Sequence, residues 1–262
     1  MTGILEAVKK GFNVASKSLG LVGVLILFNL VGNLVSVQFA LTPGAQIAPD
    51  ATAGVLLFSV LFVLVSIFFR GATLGLVRDY IKAGSMKLSD LAGYGAKYYL
   101  RLLGLGVLII AIISAVVLVA GLIMAATTPI NNAAFTIVAA TLAIAIIVVA
   151  SVMYFIPLTL SPYALICDDI GIIASIKKSL SIVKPMAKVG KLLLLYVVLI
   201  LISLGIGFAV GFLVGLITAV LPPSAGKILM AAATSVINGY LGIVMSAAFM
   251  VFYLGLGREK TA

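Results

Sequence analysis

Six apolar runs alternate along this chain with stretches that carry nearly all of its polarity. They fall at Leu19–Phe39, Ala53–Val77, Leu102–Ala126, Ala133–Leu160, Val189–Thr218 and Ala225–Gly257. Crossing a bilayer takes about 20 consecutive apolar residues. In hydrocarbon every backbone polar group must be satisfied within the segment, so each run predicts a helix. None shows the period-2 alternation of a transmembrane β-strand. Three connections, "ALTPGAQIAPDAT", "TTPINN" and "AVLPPS", are nearly uncharged and carry the prolines and small polar residues of turns. The other two, "RDYIKAGSMKLSDLAGYGAKYYLR" and "SPYALICDDIGIIASIKKSLSIVKPMAK", are charged. The pattern reads as an all-α, polytopic integral membrane protein with six transmembrane helices, residues 1–262 forming one membrane domain.

A second pattern precedes spans 1, 3 and 5. In "LEAVKKGFNVASKSLGLVGVL", Leu5, Val8, Phe12 and Ala15 share one helical face, opposite Lys9, Lys10, Asn13 and Lys17. In "IASIKKSLSIVKPMAKVGKLL" and the residues before it, Ile172, Ile173, Ile176, Leu180 and Val183 oppose Lys177, Lys178, Ser181 and Lys184. This is the 3.6-residue period of a helix lying in a membrane surface. Asp169 is the expected N-cap of that helix, and Pro185 its expected end. "LSDLAGYGAKYYLRLLGLGVL" is weaker, because Gly93 and Gly95 lower helix propensity. Placing Lys9 on Lys177 gives an offset of 168, twice a spacing of about 84 residues. Fixed-period self-similarity of this kind implies repeats, here 1–84, 85–168 and 169–262. Three cytoplasmic interfacial amphipathic helices are therefore expected.

Charge sets the orientation. The formal net charge is +10, yet only 9% of residues are charged. Assigning each connection to a side puts sixteen of the seventeen lysines and arginines together with both termini, and leaves Lys227 opposite. The positive-inside rule then makes both termini cytoplasmic, in a multi-pass protein of the cell membrane. Lys9, Lys10 and Lys17 before span 1 imitate a signal peptide. The run that follows exceeds the roughly 7–15 apolar residues of one, and cleavage after Ala40 would place Gln38 at −3, so an uncleaved span is expected. Tyr80, Tyr94, Tyr98, Tyr99, Tyr163 and Tyr253 fall near the predicted cytoplasmic boundary, where amphipathic rings anchor. The cations Lys9, Lys10, Lys17, Lys97, Arg101, Lys177, Lys178 and Lys184 form a candidate lipid-binding collar, each worth about 1 kcal/mol toward an anionic surface. Expected partners are membrane lipids, anionic ones foremost, with self-association or another membrane protein as further options, and not nucleic acid.

At "DDIGIIASIKKSL" the chain resembles the membrane domain found beside some glycerophosphodiester phosphodiesterases, and related multi-span prokaryotic families. Asp169, Gly171, Lys177, Lys178 and Ser179 carry the likeness, and Leu180 stands where that pattern often has tryptophan. "RGATLGLVRDYIKAGSMKLSDL" is similar as well. The resemblance implies a helical membrane fold. It implies little about activity, since the phosphodiesterase domain is absent.

Catalytic chemistry finds little to stand on. The chain has no histidine, one cysteine and seven acids, so no triad, metal set or cofactor site is expected and the chain reads as non-enzymatic. Asp168 and Asp169 suit helix capping, and Cys167 an ordinary small position. An ionisable residue within a span is a functional candidate by default. Arg70 in "FFRGATLG" is one, although its long side chain can snorkel toward headgroups. Asn29 and Asn33 on span 1 and Asn238 on span 6 can hydrogen-bond across those helices, at about 0.6 kcal/mol each. Small residues at Ser203, Gly207, Gly211 and Gly215, and at Ala231, Ser235 and Gly239, predict close packing of spans 5 and 6, or else a pore lining. The leading functional expectation is action at the cytoplasmic lipid surface, as a scaffold or membrane organiser. The alternative is a transporter or channel for a small or amphipathic solute, built on Arg70, Asn29, Asn33, Asn238 and a break at Pro157.

Overall fold

A computed structural model describes residues 3–39, 49–126, 133–184 and 186–258. The expected turns at 40–48 and 127–132, Pro185, and Glu259 with the rest of the C-terminus lie outside them. Every regular element among the described residues is helical. α1 (Ile4–Lys17) leads into α2 (Leu19–Phe39); α3 (Pro49–Ala83) and α4 (Leu91–Ala125) follow, joined through a 3₁₀ turn at Leu88–Asp90. Then come α5 (Ala133–Ala150), α6 (Ile156–Leu158), α7 (Ser161–Cys167), α8 (Ile172–Val183), α9 (Met186–Thr218) and α10 (Pro223–Arg258). Six of the described stretches are long and apolar enough to cross a membrane, which makes the chain a multi-pass, all-helical membrane protein. α3 and α4 have 35 residues each, about 52 Å at 1.5 Å per residue. They outrun a hydrocarbon core of about 30 Å, and their charged ends emerge from it.

α10 is the axis of the bundle. Its most apolar stretch is 72% buried, whereas no other span exceeds 22%. It also has the lowest mean hydropathy of the six, 1.8, as suits a helix whose neighbours are protein rather than lipid. α1, α2, α3, α7 and α9 all pack on it. Small residues permit this. A Cβ added at Gly11 of α1 would stand 2.6 Å from the carbonyl oxygen of Val244, and one at Gly239 would stand 2.7 Å from Ile26 Cγ1 on α2.

Several sequence expectations change here. The buried face of α1 is Ala7, Val8, Gly11, Val14 and Ala15. That face is covered by α10, while Leu5, assigned to the apolar face, is 77% exposed. The middle unit has no separate interfacial helix, because residues 91–125 form one continuous helix. No proline interrupts it, and Gly95 and Gly75 give room to the rings of Phe68 and Tyr94 where α3 and α4 cross. Only α1 and α8 are set off from the span that follows, at Ser18 and Lys184.

Asp169 caps nothing. The N-cap of α8 is Gly171, without a side-chain cap bond, and Asp169 sits at φ 50°, a region few non-glycine residues adopt. Ion pairs of 2.8 Å to Lys97 and Arg101 hold it there. Asp168 likewise pairs with Lys178 at 2.8 Å and accepts from the Tyr253 hydroxyl. α8 ends at Val183 and α9 begins at Met186, either side of Pro185. The fourth span breaks as Pro157 requires. α5 passes into a π-helical turn, Ser151–Phe155, one residue before the short α6. Such turns absorb the hydrogen-bonding disruption that proline causes.

The two small-residue stripes part company. Ala231, Ser235 and Gly239 do serve close packing, but against α2: Asn33 Nδ2 donates to Ser235 Oγ at 2.8 Å, and Gly239 meets the Ile26 backbone. Gly207, Gly211 and Gly215 on α9 meet nothing within 4 Å. α9 and α10 join instead where Tyr196 packs on Phe249, ring centroids 4.6 Å apart, and a cleft separates them beyond.

Candidate functional site

Polar groups gather in two places. One is the charged end of the bundle. Arg78 pairs with Asp79 at 2.8 Å, and donates to Tyr98 Oη at 2.7 Å and to the Ile166 carbonyl at 3.1 Å. Tyr94 donates to the other oxygen of Asp79, and Lys82 caps the Cys167 carbonyl at 2.9 Å. Together with the Asp168 and Asp169 pairs, these bonds lock α3, α4, α7, α8 and α10 to one another. Tyr98, Tyr163 and Tyr253 are at most 2% exposed. They are buried partners of charges rather than anchors in a headgroup layer. Lys97 holds the Asp169 carboxyl below the usual carboxylate range, chiefly by its hydrogen bond. Lys97, Arg101 and Lys178, expected to serve lipid, are thus committed to acids. Lys9, Lys10, Lys17, Lys177 and Lys184 are exposed, and none is ion-paired among the described residues.

The second place lies within the spans. Arg70 is eight residues from Arg78, about 12 Å deeper along α3. Its guanidinium donates to Tyr163 Oη of α7 at 3.2 Å and toward Ser246 Oγ of α10 at 3.4 Å. No carboxylate pairs with it among the described residues. It lines a cleft of about 270 Å³ between α2, α3 and α10, together with Asn29, Ser66, Thr73, Asn238 and Ser246. Phe28, Phe62 and Phe69 close the α2–α3 side, with Phe28 stacked on Phe62 at 4.7 Å.

Three of the four intramembrane residues named from the sequence line this one cleft: Arg70, Asn29 and Asn238. Asn29 donates within its own helix, to Leu25 O at 2.7 Å. Asn33 does not reach this cleft. Ser66, Thr73, Ser246 and Tyr163 were missed in the sequence. A signal existed for some of them, since Ser66, Arg70 and Thr73 recur at i, i+4 and i+7 on one face of α3, and Asn238, Gly242 and Ser246 at i, i+4 and i+8 on α10.

Two further clefts lie along α10. Asn238 and Gly242 also line the space of about 570 Å³ between α9 and α10, walled by Ser203, Gly207 and Gly211. That space shares Met230 and Thr234 with a third, of about 340 Å³, which holds Asn33 and Lys227. From Lys227 to Ser246 is nineteen residues of one helix, about 28 Å. Three clefts thus lie along a near-bilayer length of α10, Lys227 lining the one at one end and Arg70 the one at the other.

No curated protein and no solved structure matches this chain. One family model does, over residues 3–256. It carries no activity, and it does not bear on the likeness to the phosphodiesterase-associated domain. A match of that extent shows that the chain belongs to the family described as a domain of unknown function, DUF7847.

Proposed function

We propose that this chain binds a small or amphipathic anion within the membrane and carries it along α10 by way of the clefts beside that helix, as a binding and translocation protein rather than an enzyme. The observation that carries the reading is Arg70. It is a cation inside a span whose partners among the described residues are neutral hydroxyls, facing a polar cleft. A charge taken out of water costs several kcal/mol unless it is paired, and an incoming anion supplies the missing partner. Two asparagines and three hydroxyl residues line the same cleft, and a neighbouring cleft on α10 lies between it and the one that holds a second cation, Lys227. The broken fourth span fits this reading, since interrupted helices accompany many transport sites. The charged end of the bundle is placed in the cytoplasm by the positive-inside rule.

Proteoliposomes holding the full chain test it, with efflux measured for acetate, octanoate, phosphate and chloride. Protein-dependent flux of at least one anion is expected, and Arg70→Gln removes it while Lys9→Gln leaves it in place. Equal flux with and without Arg70 for every anion would end the proposal. Labelling of Lys177→Cys, in a chain also carrying Cys167→Ser, from outside intact cells would overturn the orientation.

A further inference from the structure

A separate cavity, of about 420 Å³, lies between the π-helical turn, α8 and the start of α9. It is within the range of ligand pockets. Its walls are apolar, with Met153, Tyr154 and Pro157 on one side and Leu180, Val183 and Val189 on the other. Lys177 and Lys184 also line it. They are seven residues apart, two turns on one face of α8. Both are exposed, and neither is ion-paired among the described residues, whereas the adjacent Lys178 is taken by Asp168. The break around Pro157 shapes the apolar wall. α8 is fixed against that break by the Ser179 hydroxyl, which donates to the Pro157 carbonyl.

We infer that this cavity is a site for one acidic glycerophospholipid. The phosphate lies between Lys177 and Lys184, and the start of an acyl chain lies against Met153, Leu180 and Val183. Two unpaired cations beside an apolar hollow at the charged end of a membrane protein complement an anionic lipid, with its charged head and greasy tail. A zwitterionic lipid lacks the net charge, and a soluble anion leaves the apolar walls unfilled. The inference stands apart from the Arg70 cleft, which shares no residue with this cavity.

The chain contains no tryptophan, so one can be introduced as a local reporter. Tyr154→Trp places it in the cavity wall. Leu204→Trp, at a position 63% exposed on α9, reports ordinary surrounding lipid. The full chain is reconstituted in vesicles containing phosphatidylglycerol or phosphatidylcholine with brominated chains, and quenching gives the relative association of the two lipids. One surface cation favours anionic lipid by about fivefold. The Tyr154→Trp reporter is expected to prefer phosphatidylglycerol by about fivefold or more over the Leu204→Trp reporter. Adding Lys177→Gln and Lys184→Gln removes that excess, Lys177→Arg and Lys184→Arg retain it, and Arg70→Gln does not alter it. Equal preference at the two reporters, or an excess that survives both Lys→Gln changes, overturns the inference.

Discussion

Replacing Gly239 with alanine tests the packing on which the bundle rests. A Cβ there would lie 2.7 Å from Ile26 Cγ1, 2.9 Å from Ile26 N and 3.1 Å from Ile26 Cα. The side-chain atom can rotate away, but the two backbone atoms move only if α2 moves. Forcing a methyl group into a packed site costs about 1–3 kcal/mol, against a gain of about 0.5–1 kcal/mol for alanine over glycine within a helix. A net loss of up to about 2.5 kcal/mol follows. For a chain of this size each kcal/mol moves the midpoint by about 2–4 °C, giving a fall of up to about 10 °C. The protein carries its own reporter, because its one cysteine, Cys167, is 6% exposed and a thiol-reactive dye reads its release on heating in detergent. Gly207→Ala is the matched control: it sits in a span and meets nothing within 4 Å, so it should hold or raise the midpoint. If Gly239→Ala melts at or above Gly207→Ala, α2 and α10 do not meet as described.

Other outcomes follow from the same geometry. Gly211→Leu fills open space in the α9–α10 cleft, so it should leave the melting midpoint unchanged while abolishing any anion flux in proteoliposomes. Asn33→Leu should cost only about 0.6 kcal/mol by the same melting measurement, because Ser235 Oγ keeps its bond to Ala231 O at 2.7 Å. The Asp169 carboxyl is held below its ordinary value by Lys97. Its stabilising contribution is therefore complete above the unfolded value near pH 4 and is lost as pH falls through the folded one. Melting midpoints across acid pH should show Asp169→Asn with a shallower acid loss than the unmodified chain.

The spans were legible because hydrocarbon imposes one rule on every residue it touches. Leu19–Phe39 agrees end for end, and Pro157 declared the break in the fourth span. Partner choice was less legible. The stripe at Ala231, Ser235 and Gly239 and the stripe at Ser203, Gly207 and Gly211 carry the same local signal, yet one packs on α2 and the other faces a cleft. Spacing reports that a helix can be approached closely and does not say by which neighbour. Tyrosine at a predicted boundary is ambiguous for a similar reason. Tyr98 and Tyr253 fall where the sequence predicts headgroups, but a charged partner within the protein, Arg78 or Asp168, claimed each one. The Arg70 cleft was half visible, since its asparagines stand out in apolar runs while Ser66, Thr73 and Ser246 do not.

Acids are scarce in this chain, and where they went decides what its cations can do. Asp79, Asp168 and Asp169 all lie at the charged end, and between them they engage Arg78, Lys97, Arg101 and Lys178. With the hydrogen bonds to Tyr94, Tyr98, Tyr253 and the Ile166 and Cys167 carbonyls, these pairs join helices that apolar packing alone would leave free to slide, because lipid is as apolar as the helix faces and provides no hydrophobic drive between them. Exposed pairs of this kind contribute little one at a time, so their effect is to fix register across five helices rather than to supply bulk stability. Arg70 stands outside that network, about 12 Å deeper, and among the described residues it donates to hydroxyls and pairs with no acid. A membrane protein that needed Arg70 solely for structure would be better served by a neutral residue or a nearby acid. Holding the cation unpaired over an open polar cleft makes sense when its partner arrives from elsewhere.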